Sequence, residues 1–290
     1  MKSYRLNIDS ALADKADQSD LDDLDTRGTD AEDTLSDHGT DIDTNAGNIS
    51  SNAGAISVLE DLTQDMDRTT IHGQDSIVFE GIYLHLRNGM GSTDGTDNVE
   101  NSNMTENNGL GNLIVGYDEE RSTDSDKSSS HNLVVGPLHN YSSVGGVVAG
   151  LHNESGDVYA SVTGGSWNTA SGALSAISGG ENNEATALRA TVLGGVSNLA
   201  SGDSATVTSG LANEASGQNA SVTGGLLNEA EGTASSVSGG VDNFAFGNRS
   251  SISGGVDNLA GGTYSSTSGG GNISASGFQE WAAGSLSELP

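Results

Sequence analysis

The residues able to do chemistry here are acids, histidines and asparagines, and only the asparagines are regularly spaced. Two carboxylates across a cleft would suit sugar hydrolysis. The acids of the second half are Glu184, Asp203, Glu214, Glu229, Asp242 and Asp257 among others, and they occupy positions that vary between repeats, as solvated decoration does. Histidines stand at 38, 72, 85, 131, 139 and 152, none paired at i, i+4 as a zinc site requires. There is no Cys, so there is no thiolate nucleophile, thiolate metal site or disulfide framework. No Gly-x-Ser-x-Gly elbow or phosphate loop has the strand-to-helix setting that its chemistry needs. The acidic run DGTDNVENSN, residues 94–103, is a weak calcium candidate without EF-hand spacing. The expectation is a non-enzyme with no catalytic residue, no metal site and no cofactor.

The asparagines fall into two periodic sets. Asn45 and Asn52 belong to a heptad over residues 21–66. Its a positions are Leu21, Gly28, Leu35, Ile42, Ile49, Ile56 and Thr63, and its d positions are Leu24, Ala31, His38, Asn45, Asn52, Leu59 and Met66. A seam on this count predicts helices coiled around each other. The stretch lacks Pro, but its Gly, Asp, Asn and Thr are poor helix formers, so partner helices must stabilise it. Asn in such a seam is either a polar register lock with water inside or an ion ligand. The phrase IDTNAGNISSNAGAIS resembles the Ile-x-x-Asn layers in stalks of trimeric autotransporter adhesins and virus fibres. The resemblance implies a homotrimer in which Asn45 and Asn52 surround a central chloride. His38 departs from the pattern and is assigned no ion.

The second set recurs every fifteen residues: Asn168, Asn183, Asn198, Asn213, Asn228, Asn243 and Asn258. The phrase around it is Ser/Thr-Val-x-Gly-Gly-x-x-Asn-x-Ala-x-Gly, with no residue inserted or lost from Ala160 onward. Helical repeats need 30 or so residues. Fifteen fit two short strands and two turns, one coil of a parallel β-solenoid. Gly-Gly marks one corner, and Ala-x-Gly the region of the other. The constant Asn reads as a ladder from coil to coil, or as plain turn preference. One Val and one Ala per coil bury little apolar area, so inter-coil hydrogen bonds and packing between chains must help against the cost of ordering.

Around these lie less regular segments. Residues 1–20 have no clear period, and ALADKADQSDLDDLD resembles the opening of tail-fibre stalks, which implies a virion-attachment segment; a frayed terminus is the alternative. From Thr70 the sequence turns β-like, with SIVFEGIYLHLRNG reading as one or two strands interrupted near Gly81. NLIVGYDEE and NLVVGPLHN read as short matching strands that begin the repeats in irregular form. At the far end, SASGFQEWAAGSLSELP breaks the period, and Phe278, Trp281 and Leu286 are expected to cap the open coil. A receptor contact is the alternative for Trp281.

The predicted fold is mainly β: a trimeric parallel β-roll or β-solenoid head of fifteen-residue coils, preceded by an N-terminal trimeric coiled-coil stalk. The predicted segments are 1–20 attachment, 21–69 stalk, 70–147 connector and head base, 148–276 roll, and 277–290 cap. The head resembles the β-roll of trimeric autotransporter adhesins, with Gly replacing the second apolar residue of their motif at 164, 179, 194, 224, 239 and 254.

Charge bounds the partners. Forty acids against ten Lys and Arg give a net charge of −30. Such a chain is repelled by nucleic acid and anionic lipid, and an acidic surface of this kind suits concentrated salt; a solvated acidic surface without salt adaptation is the alternative. No apolar run of spanning length occurs, and MKSYRLNIDS lacks the apolar core of a secretory signal. The chain also shows no C-terminal membrane barrel of the adhesin kind. The expectation is therefore a virion tail fibre of a halophile's virus. It would join tail or baseplate proteins through its N-terminus and bind a host surface glycoprotein or glycan. The alternatives are a cell-surface trimeric adhesin and a glycan-cleaving tailspike.

Overall fold

The structure, a computed structural model, describes residues 18–63, 66–71, 74–79, 84–87, 109–142 and 144–284. The chain divides into two compact units, Met1–Leu84 and His85–Pro290.

The first unit is a long helix and a hairpin. Helix α1 runs Gln18–Thr63, 46 residues without Pro. Its threonines turn their hydroxyls back on their own turn, as Thr26 Oγ1 donates to the Asp22 carbonyl at 2.8 Å and Thr34 Oγ1 to that of Asp30 at 2.7 Å. Those bonds satisfy residues that otherwise compete with helix. The heptad was expected to reach Met66 and β structure to begin at 70. Instead the helix stops at Thr63, and Met66 opens strand β1 (Met66–Ile71), paired antiparallel with β2 (Gln74–Phe79). The β-branched run Thr69-Thr70-Ile71 prefers the pleated strand, which overrides the last heptad step. Residues 84–87, expected to extend the strand signal, have no regular structure.

The second unit is a parallel β-solenoid of about ten turns. Strands β3 (Leu113–Val115), β4 (Leu133–Val135), β5 (Asn140–Tyr141) and β6 (Val147–Ala149) begin it. Strands β7 to β24 are two residues each, from Glu154–Ser155 to Trp281–Ala282. β3 and the even-numbered strands from β4 onward form one parallel twelve-stranded sheet, and the odd-numbered strands from β5 onward a parallel ten-stranded one. A third row of single bridges links Leu151, Ser166, Glu181, Val196, Leu211, Leu226, Val241, Val256 and Gly271.

Each regular coil turns inward Ala or Ser, Val, Ile or Thr, and the ladder Asn. In the coil from Ala160, the side chains of Ala160, Val162, Asn168 and Ala170 are fully buried. Strand N–H groups donate forward to the next coil, as Ser161 does to Ser175 at 3.0 Å and Thr169 to Asn183 at 2.9 Å. Corner N–H groups donate backward, as Trp167 does to Leu151 at 3.1 Å and Leu174 to Val158 at 2.9 Å. Those corner residues are left-handed at φ near +59° although neither is Gly. The backward bonds hold them in a conformation costing about 1–2 kcal/mol for ordinary residues. The corners therefore turn on variable residues as well as on glycine.

Segment 70–147 was expected to hold a connector and head base in which the matched phrases begin the repeats irregularly; β3 to β5 lie there and already pair into the solenoid sheets, and β6 crosses the 147/148 limit. Their register spacing is irregular, Leu113↔Leu133 then Leu133↔Val147, which hides the fifteen-residue count. At the other end the period was expected to break at 277. The coil continues to Ala282, with Ser266 paired to Trp281 and Gln279 left-handed as Tyr264 is. Backbone pairing needs no particular outward side chain, so the motif fades before the coil does.

The core row at the start of each coil holds either Ala or Ser. Ser175, Ser235, Ser250 and Ser265 are buried with hydroxyls that meet no partner, whereas Ala190, Ala205 and Ala220 fill equivalent places. A buried unpaired hydroxyl costs about 1–3 kcal/mol. Ser250→Ala is therefore expected to raise stability by about 1 kcal/mol, read as a higher denaturant midpoint with unchanged slope; a lower midpoint would refute it.

Candidate binding face of the solenoid

The ladder asparagines are buried at the heart of the second unit. Asn213 shows the pattern. Its Nδ2 donates to Asn198 Oδ1 at 3.1 Å, to the Ser209 carbonyl at 3.0 Å and to the Gly225 carbonyl at 3.1 Å. Its Oδ1 accepts from the N–H of Asn228 at 3.0 Å and from Asn228 Nδ2 at 3.1 Å. Asn168, Asn183, Asn198, Asn228, Asn243 and Asn258 occupy the same place in their coils, all buried. The row ends at Ile273, whose N–H donates to Asn258 at 2.9 Å.

The ladder is longer than its sequence repeat. Asn153 is its earlier rung, with Asn168 N–H on its Oδ1 at 2.8 Å. The signal was present, since Gly150-x-x-Asn153 has the spacing of Gly165-x-x-Asn168. Below it stands His139, which the repeat does not reveal. Its Nδ1 accepts the Asn153 N–H at 3.1 Å, and its Nε2 lies 3.0 Å from the Val135 carbonyl. These partners require the neutral ring with its proton on Nε2. Burial, first of all, holds the His139 pKa below its ordinary 6.5, against the Val135 carbonyl, which favours the charged ring. Stability from a group lowered in the folded state is fully present above pH 6.5. It is lost as pH falls through that value toward the lower folded one. Unfolding followed between pH 7.5 and 5 should show the wild type losing stability that His139→Asn, which restores an amide rung, retains. Parallel curves for the two proteins would refute this.

A polar network braces the first coils. Arg121 donates to the carbonyls of Leu138, His152 and Asn153 at 2.9–3.0 Å and pairs with Glu154 at 3.1 Å. It thereby ties two coils together. Buried Tyr141 donates to the Asp118 carboxylate at 2.9 Å, and burial together with Asp118 raises its phenol pKa. Asp118 also pairs with Lys127 at 3.0 Å. These groups are consumed by structure.

The outward faces differ. The acids are more ordered than the sequence suggests: Glu184, Glu214 and Glu229 follow the ladder residue in their coils, and Glu214 stands directly beside Glu229. Burial and the neighbouring Glu214, Glu231 and Asp242 raise the Glu229 pKa. Among the described residues no group of three or more His, Asp or Glu could hold a metal ion. At one corner Trp167 stands exposed, stacked on His152 with ring centroids 3.6 Å apart. Phe278 and Trp281 are also exposed, at 69% and 66%. Phe278 meets Tyr264 edge to face at 6.0 Å, and the Trp281 indole N–H donates to Ser268 at 2.7 Å.

The other predicted sites are dispersed. Asn45 and Asn52 lie exposed on α1, in the other unit. Leu286, the weak calcium candidate 94–103 and attachment residues 1–17 lie outside the described residues. No described helix is long and apolar enough to cross a membrane. No family model matches this chain, and no curated protein resembles it in sequence.

Proposed function

We propose that this protein is a structural, homotrimeric fibre of a virus particle, most readily a tail fibre, that attaches to the surface of a halophilic host through a glycoprotein or glycan. The observation that carries the reading is the bare seam of α1. Leu35, Ile42 and Ile49 are 66–73% exposed along one heptad stripe. A single helix gains nothing from such a stripe, and two further copies would bury it. In that trimer Asn45 and Asn52 meet their symmetry mates on the axis, where their amides hold either a chloride or a water-filled register lock. The solenoid supports the same reading as a stiff display surface: its interior is closed by small residues and hydrogen bonds, which leaves the outward positions free to vary. A net charge of −30 suits work in concentrated salt.

Sedimentation equilibrium in molar salt tests the assembly. Three chains are expected for the wild type and one for Ile49→Asp, because a charge on the seam of every strand is costly to bury. A compact, cooperatively melting single wild-type chain would overturn the trimer. Imaging purified particles with antibody to residues 160–276 tests location: labelled projections are expected, and clean particles with labelled cells would assign the chain to a cellular adhesin instead.

A further inference from the structure

Trp167 occupies a corner that the next three coils fill with Asn182, Ser197 and Ala212, before Leu227 takes it in the fourth. Its left-handed backbone costs free energy that Asn tolerates better than a bulky residue. The residue is 53% exposed, and its ring rests on His152 of the preceding coil, nearly parallel at 14°. One face of the indole is thus propped, and the opposite face looks toward the following coils. There it borders a shallow groove lined by Glu181, Asn182, Val196 and Ser197. Asn182 donates to Ser197 at 3.2 Å across neighbouring coils, which pre-orients both side chains. A second hollow shares Asn182 and Ser197 and adds Glu184, Leu199 and Glu214.

A flat, rigidly held aromatic face beside carboxylate, amide and hydroxyl groups is complementary to a pyranose ring. The C–H face of the sugar covers the indole, while its equatorial hydroxyls reach polar groups at the rim. Charge narrows the class. Glu181 lines the groove, Glu184 and Glu214 line the hollow beside it, and no Lys or Arg lines either, so uronates, sialates and sulfated sugars are repelled. The geometry points to a neutral-glycan site in which a hexose or N-acetylhexosamine ring stacks on Trp167 and hydrogen-bonds Glu181, Asn182 and Ser197. This rests on the reading of the chain as a surface-attachment protein and names the ligand class of its solenoid.

The test uses the full chain in molar salt on a printed array of neutral hexose and N-acetylhexosamine oligosaccharides beside uronate- and sialate-containing ones. Wild type and Trp281→Ala should bind neutral glycans only. Trp167→Ala should bind about tenfold more weakly or worse, the loss expected of an aromatic anchor, and Trp167→Phe should recover part of it. Circular dichroism matching the wild type shows that the coil survives. No binding by wild type, binding confined to acidic glycans, or equal binding by Trp167→Ala would each overturn the site. Adhesion to host envelope preparations separates the two levels. Equal adhesion by wild type and Trp167→Ala removes the site and leaves attachment standing, whereas no adhesion by either removes both.

Discussion

Gly225→Ala is expected to destabilise the solenoid by about 3–5 kcal/mol, while Gly224→Ala, one residue away, is expected to be nearly neutral. The two look equivalent in the sequence. At Gly225 the backbone is left-handed, φ +94°, and a β-carbon would lie 2.2 Å from the Gly240 carbonyl oxygen and 2.5 Å from Asn228 Nδ2. That carbonyl already accepts the Leu226 N–H at 3.0 Å and the Asn228 amide at 3.0 Å, so it has no freedom to withdraw. At Gly224 the nearest atom is the hydroxyl of Ser209 at 3.3 Å, the end of an exposed side chain able to rotate. The chain has made the comparison itself: Ser209 stands in the first place of its pair, and Gly210 keeps the second. Denaturant midpoints for the two variants decide the matter. Equal losses would mean that close approach between coils is not what the second glycine serves.

Asn213→Ala is expected to cost about 3–4 kcal/mol, far beyond an exposed change such as Thr223→Ala. The substitution removes all five bonds of the Asn213 side chain. Most of the loss comes from the partners left behind, above all the N–H of Asn228, buried and facing a void. The same substitution at Asn258 should cost less, because the rung above it is Ile273 and no amide side chain donates to Asn258 from that side. Similar small losses at both positions would show that corner preference rather than the ladder sets the role of Asn.

These two variants also mark where sequence reading succeeds and where it stops. The fifteen-residue count at Val162 to Ile252 and Asn168 to Asn258 is enough to reach a parallel solenoid. A helix has no use for that period, and parallel in-register stacking places each repeat's Val on the next. The long helix was legible from its heptad, although its last step lost to the β-branched run after Met66. The glutamate row was missed because alternating Thr, Glu, Leu and Phe at one coil position look like noise until neighbouring coils are stacked. His139 was missed because the first coils lack the regular count, so no alignment of repeats brings it above the asparagines. The stacking of His152 on Trp167 joins residues fifteen apart on unlike side chains, which no motif expresses.

Sequence alone determined the coil, its length, its small interior and the heptad stripe, because each is a period along the chain and periods survive in one dimension. Only the tertiary structure decided which glycine of each pair is obligatory, where the ladder starts, and which exposed aromatic ring borders a groove. Those depend on distances between atoms of successive coils, and a repeating string carries the order of its residues but not the gap between one layer and the next.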